Sequence, residues 1–434
     1  VTVPETAGSD APTLAEARSF SGRRLVELII VIVAAVVVAL HFHVLGTLAV
    51  VAAIVLIIVL HEFGHFVTAK LSKMKVTEFF VGFGPRVWSV HHGETEYGIK
   101  ALPLGGYVRI SGMTNLEEVP PEDEPRTYRQ STFPRRMMVS VAGSFMHFLM
   151  AFAILWVLLS AIGAATATGT VIESVPHIPG VVTPAQRAGL RPGEVVVAAA
   201  GSKDPSLDQF AKIVSSATGK RVSLVLSDHG HRVRTSLVPV SSTVLAAHDP
   251  AYRTAHPYGV IGVSIEAARV TYQKENIFSG AYHAFTGVFV WAWTSVTAIL
   301  SHFTPHGIVT YVHEVVHPSS NVNSARYRSR FESPVGIVQY ASYAAAAGIV
   351  AVLELLFSIN VFVGVFNLFP FLPLDGGHVV IAIYERIRSR KGRPYHADAM
   401  KLLPLTYVVV TILLLLGATA LYLDITHPII NPFR

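Results

Sequence analysis

Apolar runs too long for a water-soluble fold are the strongest constraint in this sequence. LVELIIVIVAAVVVAL follows Arg23 and Arg24, LGTLAVVAAIVLIIVL precedes a polar pentapeptide at 61–65, and comparable runs recur near 141–163, 346–371 and 404–423. Each approaches the roughly 20 residues that a hydrocarbon layer of about 30 Å requires of a helix. In lipid every backbone N–H and C=O must be satisfied internally, so the runs read as helices. The composition follows: 51% of residues are hydrophobic and 14% charged, against about 25% charged in ordinary soluble domains. The expected fold class is an α-helical multi-pass membrane protein of about five spans, at 25–43, 45–69, 141–163, 346–371 and 404–423.

Charge gives these spans a direction. The formal net charge of +6 gathers beside the apolar runs, which speaks for topology and against a nucleic-acid surface. Lys70, Lys73, Lys75, Arg86, Lys100 and Arg109 follow the second span. Arg386, Arg388, Arg390, Lys391, Arg393 and Lys401 separate the fourth and fifth. With Arg23 and Arg24, the positive-inside rule puts all three regions in the cytoplasm and 164–345 outside. Residues 1–24 form a polar tail expected to be disordered, and 25–43 is expected to be an uncleaved anchor, since no convincing small-residue cleavage site follows it. There is no cysteine, so disulfides and thiolate metal sites are excluded.

The intervening segments differ in character. Residues 94–110 read as short strands broken at Pro103 and Gly105–Gly106, and 115–131 as an acidic surface loop. TVIESV, EVVVAAA, RVSLVLS and RVRTSLVPV surround the helical pattern DQFAKIVSSA, a compact β-rich domain placed at 167–243. The stretch 244–345 is expected to be a linker. Its uncharged run AFTGVFVWAWTSVTAIL is read as an interfacial or re-entrant helix, because one further crossing would put the basic cluster at 386–401 outside. The core halves then lie at 44–166 and 346–403, with a last span and tail at 404–434.

The chemistry is concentrated in HEFGH at 61–65. Residues four apart share a helix face, so His61 and His65 can reach one metal ion, with Glu62 beside them to take a proton from water. Two imidazoles and a carboxylate in the last turns of an apolar helix are costly unless satisfied. A tetrahedral catalytic zinc needs a third protein ligand. Asp375 is the best candidate: it ends VFVGVFNLFPFLPLDGG at the corresponding end of the fourth span, where Pro370 and Pro373 prevent a regular helix and Gly376 and Gly377 allow close backbone approach. The alternatives are polar residues packed in a bundle and an Asp that merely caps a turn.

HEFGH in an early span with a late NLFPFLPLDGG resembles the site-2 protease family of intramembrane zinc metalloproteases, in its bacterial form with an extracytoplasmic PDZ domain. The resemblance implies one zinc ion per chain held by His61, His65 and Asp375, with Glu62 as catalytic residue and Asn367 handling substrate. It implies a bacterial plasma-membrane location, with the zinc site near the cytoplasmic side. GETEYGIKALPLGGYVRISGM, including Gly105, Gly106 and Tyr107, is similar to the family's membrane-associated β-hairpin, which holds an extended substrate by strand addition; it is equally a structural hairpin. TPAQRAGLRPGEVV, with Ala188, Gly189, Leu190 and Gly193, resembles a PDZ stretch, implying either peptide binding or a size filter. AGSFMH departs from the family's Ala-Gly-Pro-x-x-Asn: Ser144 replaces proline and His147 asparagine. His147 then acts as a hydrogen-bond donor to substrate, an extra metal ligand or a packing residue.

Implied partners are single-span membrane proteins and membrane lipid; implied substrates are anti-sigma-type signalling proteins or remnant signal peptides after an earlier outside cut. No nucleic-acid partner is expected, and the sequence sets no oligomeric state. Two rival functions stay open at this point, a silent PDZ-bearing scaffold and a metal transporter. The string HEVVH at 313–317 also matches His-Glu-x-x-His, as a possible soluble-type zinc site.

Overall fold

The structure, a computed structural model, describes residues 22–113, 117–228, 231–249, 252, 256–319, 327–390 and 395–433. The tail expected to be disordered lies outside the described residues up to position 21, as do Lys391 and Arg393 of the second basic cluster. The chain divides into two compact units: residues 1–157 with 281–434, and residues 158–280.

The first unit opens with α1 (Gly22–His41), α2 (Leu45–Leu71), the strands β1 (Val76–His92) and β2 (Thr95–Ile110), and α3 (Phe133–Val157), which a π-helical stretch Leu158–Ile162 prolongs. The second unit contains β3 (Ala164–Ser174), α4 (Pro184–Arg187), β4 (Val195–Ala199), β5 (Ser202–Lys203), α5 (Leu207–Ser216), β6 (Val222–Asp228), β7 (His231–Leu237), β8 (Val240–Ser241), α6 (Ser242–Ala246), β9 (Gly259–Val260) and β10 (Ser264–Gln273). The chain ends in α7 (Ile277–His302), α8 (Pro305–Val316), α9 (Pro334–Ala347), α10 (Ile349–Asn367), α11 (Asp375–Arg388) and α12 (Ala399–Thr426).

Among the described residues five helices are long and apolar enough to cross a membrane: α2, α3 with its π-helical extension, α7, α10 and α12. This set includes one helix that the charge pattern had not counted as a span. The expected N-terminal span at 25–43 corresponds to the 20-residue helix α1. The segment read as interfacial or re-entrant is instead the 26-residue helix α7. The expectation rested on the basic cluster that follows and not on the run's own composition, which includes several hydroxyls. Those hydroxyls bond back within the helix: Thr286 to Tyr282 O at 3.0 Å, Thr294 to Val290 O at 2.9 Å and Ser301 to Ala298 O at 2.7 Å. Val288 of α7 shares an apolar cluster with Ala151 of α3 and Phe357 and Val361 of α10, and the Trp291 and Phe357 rings meet edge to face at 5.8 Å.

The run 346–371 is essentially α10 and the turn after it, and α9 precedes it across Gly348 at φ +110°. Ala341 and Leu356, on either side of Gly348, join one cluster with Val50 and Ile57 of α2. Small residues let the helices approach, as membrane helices require without a solvent-driven force between them: a Cβ on Gly64 of α2 would lie 2.8 Å from Ala142 O of α3.

β1 and β2 each fold back on themselves. Residues 76–81 pair with 106–110 on one side and with 96–99 on the other, and 86–92 pair with 95–100. Among the described residues the run 106–110 has a strand partner on one side only. Thr95 Oγ1 donates to Val76 O at 2.7 Å, and Met74, Val76, Ile110, Tyr128 and Val139 bury the sheet's root against α3.

In the second unit the strand order is β10-β3-β4-β6-β7, with β5 beside β4. Ser206 and Gln209 cap α5 reciprocally, and Phe210 and Val214 of that helix pack into a core with Ile172, Val196, Leu224 and Leu226. β9 and β10 belong to this unit, although the sequence reading left 244–280 in a linker. The β10 residues SIEAARVTY mix charged and apolar groups without regular alternation, yet the strand pairs along β3 from Ser264–Ser174 to Gln273–Ala164.

Candidate metal centre

The second half of α2 brings His61 and His65 onto one face, their ring centroids 4.9 Å apart. His65 Nδ1 lies 2.8 Å from the carbonyl oxygen of Val139 on α3. A carbonyl only accepts, so Nδ1 carries the proton and Nε2 presents a bare lone pair, the tautomer of a metal ligand. Gly143, one turn further along α3, lies against both rings. A Cβ there would sit 2.3 Å from His61 Cε1 and 2.4 Å from His65 Nε2.

The third group arrives from the far end of the chain. After α10 the chain turns through 368–374, with a cis Leu372–Pro373 bond, and Asp375 opens α11. The N-cap position is Leu374 and no side-chain cap is made, so the Asp375 carboxylate is not spent on capping. Gly376 makes the bend possible, since a Cβ there would lie 2.2 Å from Leu368 O. Asp375 Oδ2 stands 3.4 Å from His61 Nε2 and 3.3 Å from His65 Nε2, and the two Nε2 atoms are 3.3 Å apart.

These distances test the fit to a metal. Zinc bonds to N and O of about 2.0–2.1 Å in tetrahedral geometry separate the ligand atoms by about 3.3–3.4 Å. All three pairs agree, and Asp375 Oδ2 is buried without a hydrogen bond of ordinary geometry. Three lone pairs converging in a dry site are unfavourable by themselves and suit a cation. Glu62 lies one residue from the first ligand, with the Val108 backbone amide of β2 facing its carboxylate. Gly106 covers the Glu62 stem: a Cβ there would meet Glu62 Cγ at 3.2 Å.

The sequence profile of peptidase family M50 matches residues 49–415, a range that contains His61, Glu62, His65 and Asp375. The chain belongs to peptidase family M50. It is 34% identical over 409 residues to zinc metalloprotease Rip1 of Mycobacterium bovis, covering 88% of this chain and 96% of that protein. Rip1 of Mycobacterium tuberculosis is 32% identical over 411 residues with the same coverage. A putative zinc metalloprotease of Clostridium perfringens is 28% identical over 380 residues, 86% of this chain and 96% of the relative.

Around this M50 trio the other expected residues fall unevenly. His147 is buried on α3 with its ring 4.9 Å from that of His61. Its Nδ1 is 3.1 Å from Oδ1 of Asn360, whose Nδ2 donates to Leu356 O at 2.8 Å. The amide is thereby oriented, so His147 donates from Nδ1. Asn360 is fully buried and sequence reading missed it; Asn367, which was singled out, ends α10 two turns later and is half-buried. Tyr107 points into the hairpin, where its hydroxyl donates to Glu78 and its ring stacks on Phe80 at 5.7 Å, and Gly105 packs against Phe83. Ser144 is buried on α3. Ala188, Gly189, Leu190 and Gly193 form the turn from α4 to β4: Leu190 enters the core of the second unit, while Gly189 and Gly193 take φ of +70° and +89°.

The second His-Glu-x-x-His string lies on α8 and is built differently. Glu314 is fully buried and accepts the backbone N–H of Ser319 at 3.1 Å, closing the helix end. His313 and His317 face each other at 5.1 Å. Among the described residues no third ligating group joins them, and the one trio within reach of a common ion is His61, His65 and Asp375.

Proposed function

We propose that the chain is an intramembrane zinc endopeptidase that cuts membrane-spanning segments. The observation that carries this reading is the near-equilateral triangle of His61 Nε2, His65 Nε2 and Asp375 Oδ2, with Glu62 beside it in an apolar helix. Those three residues would hold the ion. Bound zinc supplies Lewis acidity toward a carbonyl oxygen and makes water a nucleophile at neutral pH. Glu62 accepts a proton from the attacking water at its carboxylate and returns it to the departing amine nitrogen. His147, held by Asn360, lines the site beside His61.

A transmembrane helix hides its peptide bonds, so the substrate must unwind and find new backbone partners. The unpaired side of 106–110, directly over Glu62, offers them as an added strand. Asn367 belongs to the same reading as a group that handles substrate. The second unit is read as the PDZ-like domain, placed outside the membrane and filtering substrates by the size of what remains outside. Its support is the capped turn Thr183–Gln186, the two left-handed glycines and the antiparallel sheet. The basic residues after α2 and around α11 favour a metal centre near the cytoplasmic side. Single-span signalling proteins of anti-sigma type, or remnant signal peptides, are the substrate class.

The test is cleavage of a panel of single-span peptides by the purified chain in detergent, with fragments read by mass spectrometry. Wild type is expected to cut within the apolar segment and to stop when a zinc chelator is added. Glu62→Gln should lower the rate about 10²–10⁴-fold, the usual range for losing a general base. Equal cutting by Glu62→Gln would remove that residue from the mechanism.

A further inference from the structure

The groups that would hold the ion come from α2 and α11, and α3 lies against both. One face of α3 carries Arg136, Val139, Gly143 and His147, all buried or lacking a side chain. The middle of that face touches the ligands, through Val139 O and the Gly143 backbone. Its beginning does something else. Arg136 Nη1 lies 2.6 Å from Glu385 Oε2 near the end of α11, with side chains 10% and 3% exposed.

Several neighbours hold this pair, although Arg136 Nε makes no hydrogen bond and the contact at Glu385 Oε2 is an ion pair without hydrogen-bond geometry. The Arg136 guanidinium sits over the Tyr128 ring at 4.9 Å, and the Tyr128 hydroxyl meets Ser140 Oγ at 2.7 Å. The edge of Tyr128 faces His378, one turn after Asp375, at 6.4 Å. The other carboxylate oxygen, Glu385 Oε1, accepts the Ala397 N–H at 2.6 Å. Buried charges persist only when paired and hydrogen-bonded, and a hydrophobic pair would serve packing as well. Neither residue belongs to the metal trio, and no chemical step needs them.

We propose that Arg136 and Glu385 are positioning residues for the metal centre, fixing the register of α11 on α3 and so the distance of Asp375 from the two imidazoles. The proposal rests on the zinc reading of that trio. α11 is a rigid rod with a rise of about 1.5 Å per residue, which puts Glu385 about 15 Å from Asp375 along the axis. The start of the rod has no side-chain cap, and its preceding turn is built of prolines and apolar residues. Slippage by a single residue would move the carboxylate by about 1.5 Å, far beyond the roughly 0.2 Å that metal bonding tolerates. The ion pair forbids that slip, because an offset would leave two buried charges apart.

The experiment compares zinc retention in the purified full chain. Wild type, Glu385→Gln and Arg136→Lys are loaded with zinc and challenged with a chelator, and release is followed with a zinc-sensitive dye beside each melting temperature. Asp375→Ala reports the centre itself. Asp424→Asn breaks the other buried pair, Arg330–Asp424 at 3.2 Å, outside the centre, and serves as a destabilised control. Glu385→Gln and Arg136→Lys are expected to release zinc at least about tenfold faster than wild type, the lower end of the effect of outer-shell partners. Asp424→Asn should melt earlier yet release zinc at the wild-type rate. In cleavage assays kcat should fall with KM unchanged. Release at the wild-type rate from both pair variants, or no faster than from Asp424→Asn at equal melting temperature, overturns the proposal. If Glu385→Gln does not fold, Arg136→Lys decides, since it keeps the charge. A wild type that holds no zinc, or an Asp375→Ala that holds it equally well, defeats the zinc reading instead.

Discussion

At Gly143 a single added carbon would lie 2.3 Å from His61 and 2.4 Å from His65. Neither neighbour can yield easily, because His65 is tethered to Val139 O and both rings are buried. Gly143→Ala is therefore expected to cost about 1–3 kcal/mol, as overpacking does, and to weaken zinc binding at least tenfold while the helices persist. Zinc titration and thermal melting of the variant check both parts. The residue scale is also where sequence and structure part company most clearly. The helical spacing of His61 and His65 was legible in HEFGH, and Asp375 was legible from the prolines and glycines around it. Gly143 and Asn360 were not, because a helix spacing says nothing about which foreign helix covers its face. Asn367 drew attention by its motif, whereas Asn360, which holds His147, lies in an apolar run with no such signal.

Among the elements, the β1–β2 hairpin depends on its ties to the flanking segments. Glu94, in the turn between the two strands, takes Lys70 of α2 at 2.8 Å and both Nη atoms of Arg126 at 2.7 and 2.8 Å. Hydrogen bonds from Arg126, then from Lys70, outweigh burial and hold its carboxyl down at about 2. A folded-state pKa below the unfolded value adds stability that is complete above the unfolded pKa, about 4.5, and is lost as pH falls toward 2. Limited proteolysis of the hairpin should thus accelerate between pH 4.5 and 2 in wild type. Glu94→Gln should be cut faster than wild type at neutral pH, with the added sensitivity below pH 4.5 gone. Charge parity argued against a crossing by α7, whereas nothing within that helix does. A hydropathy count treats Thr286 and Thr294 as polar, whereas in the helix each hydroxyl is already bonded to a carbonyl one turn back. The strands β3, β4, β6 and β7 followed their apolar patterns closely. β10 did not, because its place is set by pairing with distant β3.

For the molecule as a whole, the division into two units separates the origins of stability. The second unit has its own core around Phe210, Leu224 and Leu226, whereas the metal trio lies wholly in the first. Phe210→Ala is expected to destabilise the second unit by about 3–5 kcal/mol, the usual cost of truncating a buried aromatic, with zinc content unchanged. Differential scanning calorimetry with metal analysis would check it, and zinc loss together with the early transition would contradict the separation. The sequence conveyed the membrane character and the two-part centre, since both are written in local composition. Span count was harder, because α7 is long and apolar enough to cross while the basic residues around α11 argue for one crossing fewer. The order of the ligands along the chain has a further consequence for biosynthesis. His61, Glu62 and His65 emerge from the ribosome early, but Asp375 follows only after the whole second unit. A chain made only as far as the second unit thus carries two groups of the trio and lacks the carboxylate.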